Sequence, residues 1–298
     1  MEELKKTKCA CLIQGDIRNG TEEILKELAT HFDTIILSTW EDEAFIPAGR
    51  YHLVLSKKPG IPGDFHRNYQ RFGVARGLEY AEKLGCTHVL KWRTDMLPLR
   101  ISQDKLLERS SNSVPDGFNA RIVLPTFGCI TKEVDSFSRV TDFCAFSSIE
   151  MMKLLWGDEE FDYSSSRNIP PGISVELMSD PEIVKFYDPE AELYALFKER
   201  MQRKIGRDLD HRTILRDFCS LFEIEELKIC WFAPGWSGFR GIVNGYWLKS
   251  RWKNITTNIS ATTGYPWWKP IWDILLPYLA SYQTRKQKKR YKKYIFRG

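Results

Sequence analysis

The sequence predicts an α/β domain built on a mostly parallel sheet. Through the first third of the chain, short apolar or β-branched runs alternate with stretches of helical spacing. Each of those runs closes on polar, Gly or Pro punctuation. The bulk composition agrees, since 298 residues that are 43% hydrophobic and 28% charged can bury one sizeable core.

The elements follow in order. Cys9 to Ile13 is a short apolar run ending in Gln14-Gly15-Asp16, and "GTEEILKELATHF" then places Ile24, Leu25, Leu28 and Phe32 on one helical face. "TIILSTW" and "YHLVLS" read as two further strands. "HRNYQRFGVARGLEYAEKLG" reads as a long helix stopped by Gly85, and "THVLKW" as the strand after it. This β-α-β-β-α-β order places Gln14 to Asp16, Ser38 to Trp40, Ser56 to Gly60 and Arg93 to Asp95 at the carboxyl ends of strands, where such sheets bind ligands. Further on, "RIVLPTFGCI" and "RVTDFCAFSS" look like strands, "SIEMMKLLWG" like a helix and "YSSSRNIPPGISVE" like a loop. "DPEAELYALFKERMQRKIG" opens on Pro and acids and closes on bases and Gly, which predicts a helix.

Charge is unevenly spread. Eight of the 44 basic residues follow position 280 with no acid among them, and the 36 left over are outnumbered by 39 acidic ones. No run of eighteen apolar residues suggests a spanning helix, and the amino-terminal CACLI run is shorter than a secretory signal requires. Seven cysteines without a paired framework fit a reducing compartment, with Cys9 and Cys11 expected as buried apolar residues rather than metal ligands. Phosphate-loop, dinucleotide-fingerprint, zinc-protease and nucleophile-elbow patterns are all missing.

The stretch with chemical content is "HVLKWRTDMLP". A carboxylate at the end of a buried strand, Asp95, can bind a hard divalent cation beside substrate phosphates, which themselves supply most of the ligands. The plainer alternative is that Asp95 caps a turn. Lys91 and Arg93 alternate on the strand face opposite Trp92 and would add positive charge near the same phosphates.

In order, "IQGDIR", "IILSTWEDE", "PG", Asn68 and Arg71 before "GLEYA", and "LKWRTDM" resemble the WavE-type glycosyltransferases of lipopolysaccharide and capsule synthesis. The resemblance covers roughly residues 8–100, with "TDFCAFSS" and "DPEAELY" extending it to about 200. It implies a GT-A fold over residues 1–250 and a nucleotide-diphosphate-sugar donor, uridine being the commoner base. It also implies Mn2+ or Mg2+ held by a degenerate D-x-D motif, here Arg93-Thr94-Asp95, so that Asp95 is the one direct protein ligand. By the same resemblance Gln14, Gly15 and Asp16 would border the nucleotide base and Ser38, Thr39 and Trp40 would line its pocket. Asn68 and Arg71, three apart on one helix face, would reach the ribose or diphosphate, with Lys91, Arg93 and Thr94 close by.

An inverting transfer to a glycan or lipid-linked glycan acceptor also needs a base. Asp142 is the first candidate, then Glu192, then Glu190, which equally suits a helix dipole. His211 is expected in an exposed loop, and His88 as an ordinary strand residue.

Residues 251–298 combine Trp267, Trp268, Trp272, Tyr278 and Tyr282 with the basic run, a composition suited to the membrane interface. Peripheral association with the inner, cytoplasmic face of a membrane is therefore expected. The same tail would suit a nucleic-acid binder, but the slightly acidic body shows no recognised module, so no specific nucleic acid is expected. A third possibility is a non-catalytic sugar-nucleotide-binding protein.

Overall fold

The computed structural model describes residues 7–18, 20–98, 100–125, 140–166, 189–222, 227, 229–232 and 239–242. The expected aromatic and basic segment 251–298 lies outside them. Strands β1 (Cys9–Gln14), β2 (Thr34–Trp40), β3 (His52–Ser56) and β4 (His88–Arg93) form the first half of a seven-stranded sheet. Strands β6 (Ile122–Pro125), β7 (Ala145–Ser148) and β8 (Cys219–Phe222) complete it. The spatial order is β3-β2-β1-β4-β7-β6-β8; the first four run parallel, β7 is antiparallel to both neighbours, and β6 pairs parallel with β8. Three short strands, β5 (Met96–Pro98), β9 (Ile229–Phe232) and β10 (Phe239–Ile242), make a second, antiparallel sheet.

The result is a mixed α/β fold with a mostly parallel large sheet. Helices α1 (Thr21–Leu28), α2 (Arg67–Lys83), α3 (Gln103–Ser111), α4 (Ile149–Trp156) and α5 (Pro189–Ile205) cover its two faces. Side-chain alternation explains the layering. In β1, Ala10 and Leu12 face the cluster containing Val74 and Leu78 of α2, Leu155 of α4 and Phe197 of α5. Cys9, Cys11 and Ile13 face the opposite cluster with Ile24 and Leu28 of α1 and Leu106 of α3. Every residue of β1 and β2 is buried, which is why these runs are apolar along their middles instead of alternating, with polar residues only toward their ends.

Three local expectations change. Of the run expected as a strand over 139–148, the described residues form a strand over Ala145–Ser148, and 140–144 is an irregular buried segment. His211 is 2% exposed and shares a hydrogen bond with the Tyr194 hydroxyl at 2.5 Å, so it belongs to the packing of α5 and not to an exposed loop. Helix α3, β5 and β8 have no counterpart in the sequence pattern, because each is short and packs as part of a larger surface. Cys9 and Cys11 are buried as expected; burial pushes the Cys9 thiol up to about 12 and the Cys11 thiol well above its usual value.

Candidate functional site

Strand order reverses between β1 and β4: the chain leaving β1 turns toward β2, and the chain leaving β4 turns the other way toward β6. The crevice at the carboxyl ends on either side of such a reversal is where open α/β sheets bind ligands. The two strand ends meet closely there. Gly15 has φ 136°, and a Cβ on it would lie 2.8 Å from Thr94 Oγ1, so only glycine lets the β1 and β4 exits approach this far. Thr94 N–H donates to Gln14 O at 3.3 Å, Gly15 N–H to Ser38 O at 3.2 Å, and Thr21 Oγ1 to Thr94 O at 3.0 Å. Residues 94 and 95 form the tight turn from β4 into β5, and the Trp92 indole closes it by donating to Met96 O. Asp95 thereby stands between the two sheets.

A chain of alternating charges crosses this edge. Arg93 clasps Asp95 with two parallel hydrogen bonds, Nε to Oδ1 and Nη2 to Oδ2, both 2.9 Å. Its Nη1 donates to Asp142 Oδ2 at 3.2 Å, because the antiparallel register of β7 brings the preceding segment alongside the end of β4. Arg18 lies on the other side, with Nη1 3.4 Å from Asp95 Oδ2 and Nη2 3.6 Å from Asp16 Oδ2. Asp16 is held in turn by the Trp40 indole N–H at 2.7 Å. The order is Asp16, Arg18, Asp95, Arg93, Asp142. Burial opposes charge on Arg93, but Asp142, Asp95 and, further off, Glu190 outweigh it and hold its pKa above the ordinary arginine value.

Asp95 does not fit the role of sole metal ligand. Its carboxylate is 2% exposed and both oxygens accept from guanidinium groups. A divalent ion binding at about 2.1 Å would have to displace an arginine fork and then sit beside it. Among the described residues, no group of three His, Cys, Asp or Glu side chains is placed to hold a metal.

Other expected residues are placed differently. Gln14, Ser38, Thr39, Trp40 and Thr94 are at most 5% exposed; Ser38 Oγ donates to Gly73 O of α2 at 2.7 Å and Thr39 Oγ1 to Glu43 at 3.1 Å. Asn68 is fully buried and its amide donates to Ile61 O and Ser165 O, both 2.9 Å, tying two loops together. Arg71 is 3% exposed, donates to Gly157 O at 2.9 Å and lies 4.8 Å from the Phe161 ring centre. Lys91 is fully buried, donates to Asp142 O and lies 4.8 Å from the Trp156 ring centre. Desolvation, opposed by Asp142, lowers its pKa to about 8.

The three carboxylate candidates also separate. Asp142 stands in the charge chain. Glu192 is 2% exposed and ion-paired with the equally buried Arg67, joining the starts of α5 and α2. Glu190 is half-buried and near enough to add to the field at Arg93. The residue that sequence reasoning did not single out is Arg18, although it closes the "IQGDIR" stretch after β1. A separate groove of about 570 Å³ between α2, α4 and α5 shares no residue with this cluster, and its charged side chains are engaged in ion pairs such as Arg203–Glu160, Lys204–Glu150 and Lys153–Glu82.

No family model matches the chain, and no curated protein matches it. Among solved structures, A197 from STIV is similar with TM-score 0.38 at 10% identity, over 80% of this chain and 91% of that one. HddC from Yersinia pseudotuberculosis is similar with TM-score 0.35 at 11% identity, over 56% of this chain and 87% of that one. Likenesses this weak carry no statement about activity.

Proposed function

We propose that the chain is a GT-A-type glycosyltransferase that moves a sugar from a nucleotide-diphosphate donor to a hydroxyl of a glycan or lipid-linked glycan. The observation that carries this reading is the Asp16–Arg18–Asp95–Arg93–Asp142 chain at the crevice between β1 and β4. It puts two arginines at the sheet edge that suits a phosphate-bearing ligand. The ordered resemblance of residues 8–100 to WavE-type enzymes supports the same reading, with surface-polysaccharide synthesis as the setting.

The division of labour follows from position. Arg18 and Arg93 face the diphosphate, and Asp16, held by Trp40, borders the nucleoside. In an inverting transfer the acceptor oxygen forms a bond to the anomeric carbon as the bond from that carbon to the diphosphate breaks. The hydroxyl proton passes to a carboxylate; Asp142, beside Arg93, is our first candidate and Glu190 our second. The nucleoside diphosphate leaves with the bonding pair, and the arginines stabilise its growing charge.

A panel of nucleotide sugars in a thermal-shift assay tests the reading, followed by transfer assays with lipid-linked glycans. At least one nucleotide sugar should raise the melting temperature of the wild type, and Asp95→Ala should abolish transfer. If no nucleotide sugar stabilises the protein, the reading is wrong. Residues 251–298 belong to the same proposal as a membrane-interface segment; their deletion should remove binding to anionic vesicles and spare nucleotide-sugar binding.

A further inference from the structure

We infer that this site binds its diphosphate without a divalent cation, with Arg18 and Arg93 in the metal's place and Asp95 serving as the counter-ion that aims Arg93. The inference rests on reading the site as a diphosphate site, and it reverses the role expected of Asp95.

Accessibility decides between the two roles. Asp95 has 2% of its side chain exposed, whereas Arg18 has 25% and Arg93 has 21%. A ligand entering the crevice therefore meets guanidinium groups before it meets the carboxylate. An anion can add to those exposed edges and leave the Arg93–Asp95 fork intact. A metal ion can reach Asp95 only by breaking that fork, two hydrogen bonds of 2.9 Å each. Arg18 is the more loosely held of the two arginines, at 3.4 Å and 3.6 Å from its carboxylates, so it can swing onto an incoming phosphate at small cost. Arg93 is fixed by carboxylates on both sides, which keep it charged and immobile. One loosely held and one preorganised guanidinium can offer a diphosphate charge-assisted hydrogen bonds where a bridging magnesium would elsewhere make contact.

Arginine matters here for its geometry. Lysine at position 93 would keep the charge but lose the two-pronged clasp on Asp95, and with it the fixed orientation of the side chain.

The test is the affinity of the full chain for inorganic pyrophosphate by calorimetry, in EDTA and in excess magnesium. The same titrations are made on Arg18→Ala, Arg93→Lys and Asp95→Asn, with a nucleotide-sugar panel run in both buffers. Wild type should bind pyrophosphate in EDTA, and Arg18→Ala should weaken that binding about tenfold or more with the melting temperature of the free protein unchanged. Arg93→Lys should weaken it similarly, and Asp95→Asn should weaken it without creating any dependence on magnesium. Two outcomes of the pyrophosphate titrations would overturn the inference: binding that needs magnesium and vanishes in Asp95→Asn while Arg18→Ala retains it, or no binding in either buffer. Pyrophosphate binding in EDTA with no nucleotide sugar bound would sink the transferase reading and leave the metal-free anion site standing. Nucleotide-sugar binding that requires magnesium would do the reverse.

Discussion

At the scale of single residues, the chain uses buried charge for two different purposes. Arg93 and Asp95 form a partly open pair at the crevice, whereas Arg67 and Glu192 form a closed pair, 3% and 2% exposed, between the starts of α2 and α5. Removing one partner of a closed pair leaves the other charge buried without it, which costs about 3–5 kcal/mol. Glu192→Ala should therefore lower unfolding free energy by that order in urea denaturation, with pyrophosphate affinity unchanged in the protein that remains folded. A loss of affinity without loss of stability would return Glu192 to the site.

Lys91 makes a pH prediction. Its pKa is lowered from 10.5 to about 8 in the folded chain, so above pH 8 the unfolded chain holds a proton that the folded chain has released. Stability contributed at this position must then rise with pH between about 8 and 10.5. The difference in unfolding free energy between wild type and Lys91→Met should grow in favour of wild type across that window, by up to about 3 kcal/mol. Denaturation of both proteins at pH 8 and pH 10 measures it. A difference that stays flat or shrinks contradicts the lowered pKa.

Among the elements, α2 shows how closely a helix can be drawn onto a sheet. A Cβ at Gly77 would lie 2.2 Å from Leu12 Cδ1, and one at Gly73 would lie 3.0 Å from Gln14 Cγ. Two glycines one turn apart therefore let α2 settle against β1. Gly77→Ala should push the helix outward and cost about 1–3 kcal/mol, read as a lower melting temperature despite alanine's better helix propensity. A melting temperature raised by the substitution would show that the contact relaxes freely. The helix itself was readable from "HRNYQRFGVARGLEYAEKLG"; the reason for its glycines was not, because the partner, Leu12, lies 65 positions earlier on another element. The same limit explains Asn68 and Arg71. Their spacing fixed one helix face, but whether that face met a ligand or the backbone of residues 157 and 165 depended on how a distant loop packs.

For the whole molecule, the large sheet separates the packing into two layers and leaves its carboxyl edge to the charge chain. Stability and ligand binding should be separable in consequence. Leu78→Ala, in the layer beneath α2, should cost about 2–5 kcal/mol and leave pyrophosphate affinity unchanged, measured by denaturation and calorimetry on the same sample. Coupled losses would mean that the crevice depends on that layer. No helix among the described residues is long and apolar enough to cross a membrane.

The sequence by itself determined the strands β1 to β4, the helices between them and the edge where their ends collect, since these follow from local periodicity and punctuation. It also put Arg93, Asp95 and Asp142 among the residues to watch. Only the tertiary structure decided which charges surround them. Asp95 lies two residues from Arg93 in the chain, but Asp142 and Arg18 reach the pair from 49 and 77 residues away, through an antiparallel register and the close approach at Gly15. A carboxylate's chemistry depends on which charges stand within a few ångströms of it, and those distances are set by packing between elements. For that reason a lone acid that reads as a metal ligand becomes, once folded, the anchor of two arginines.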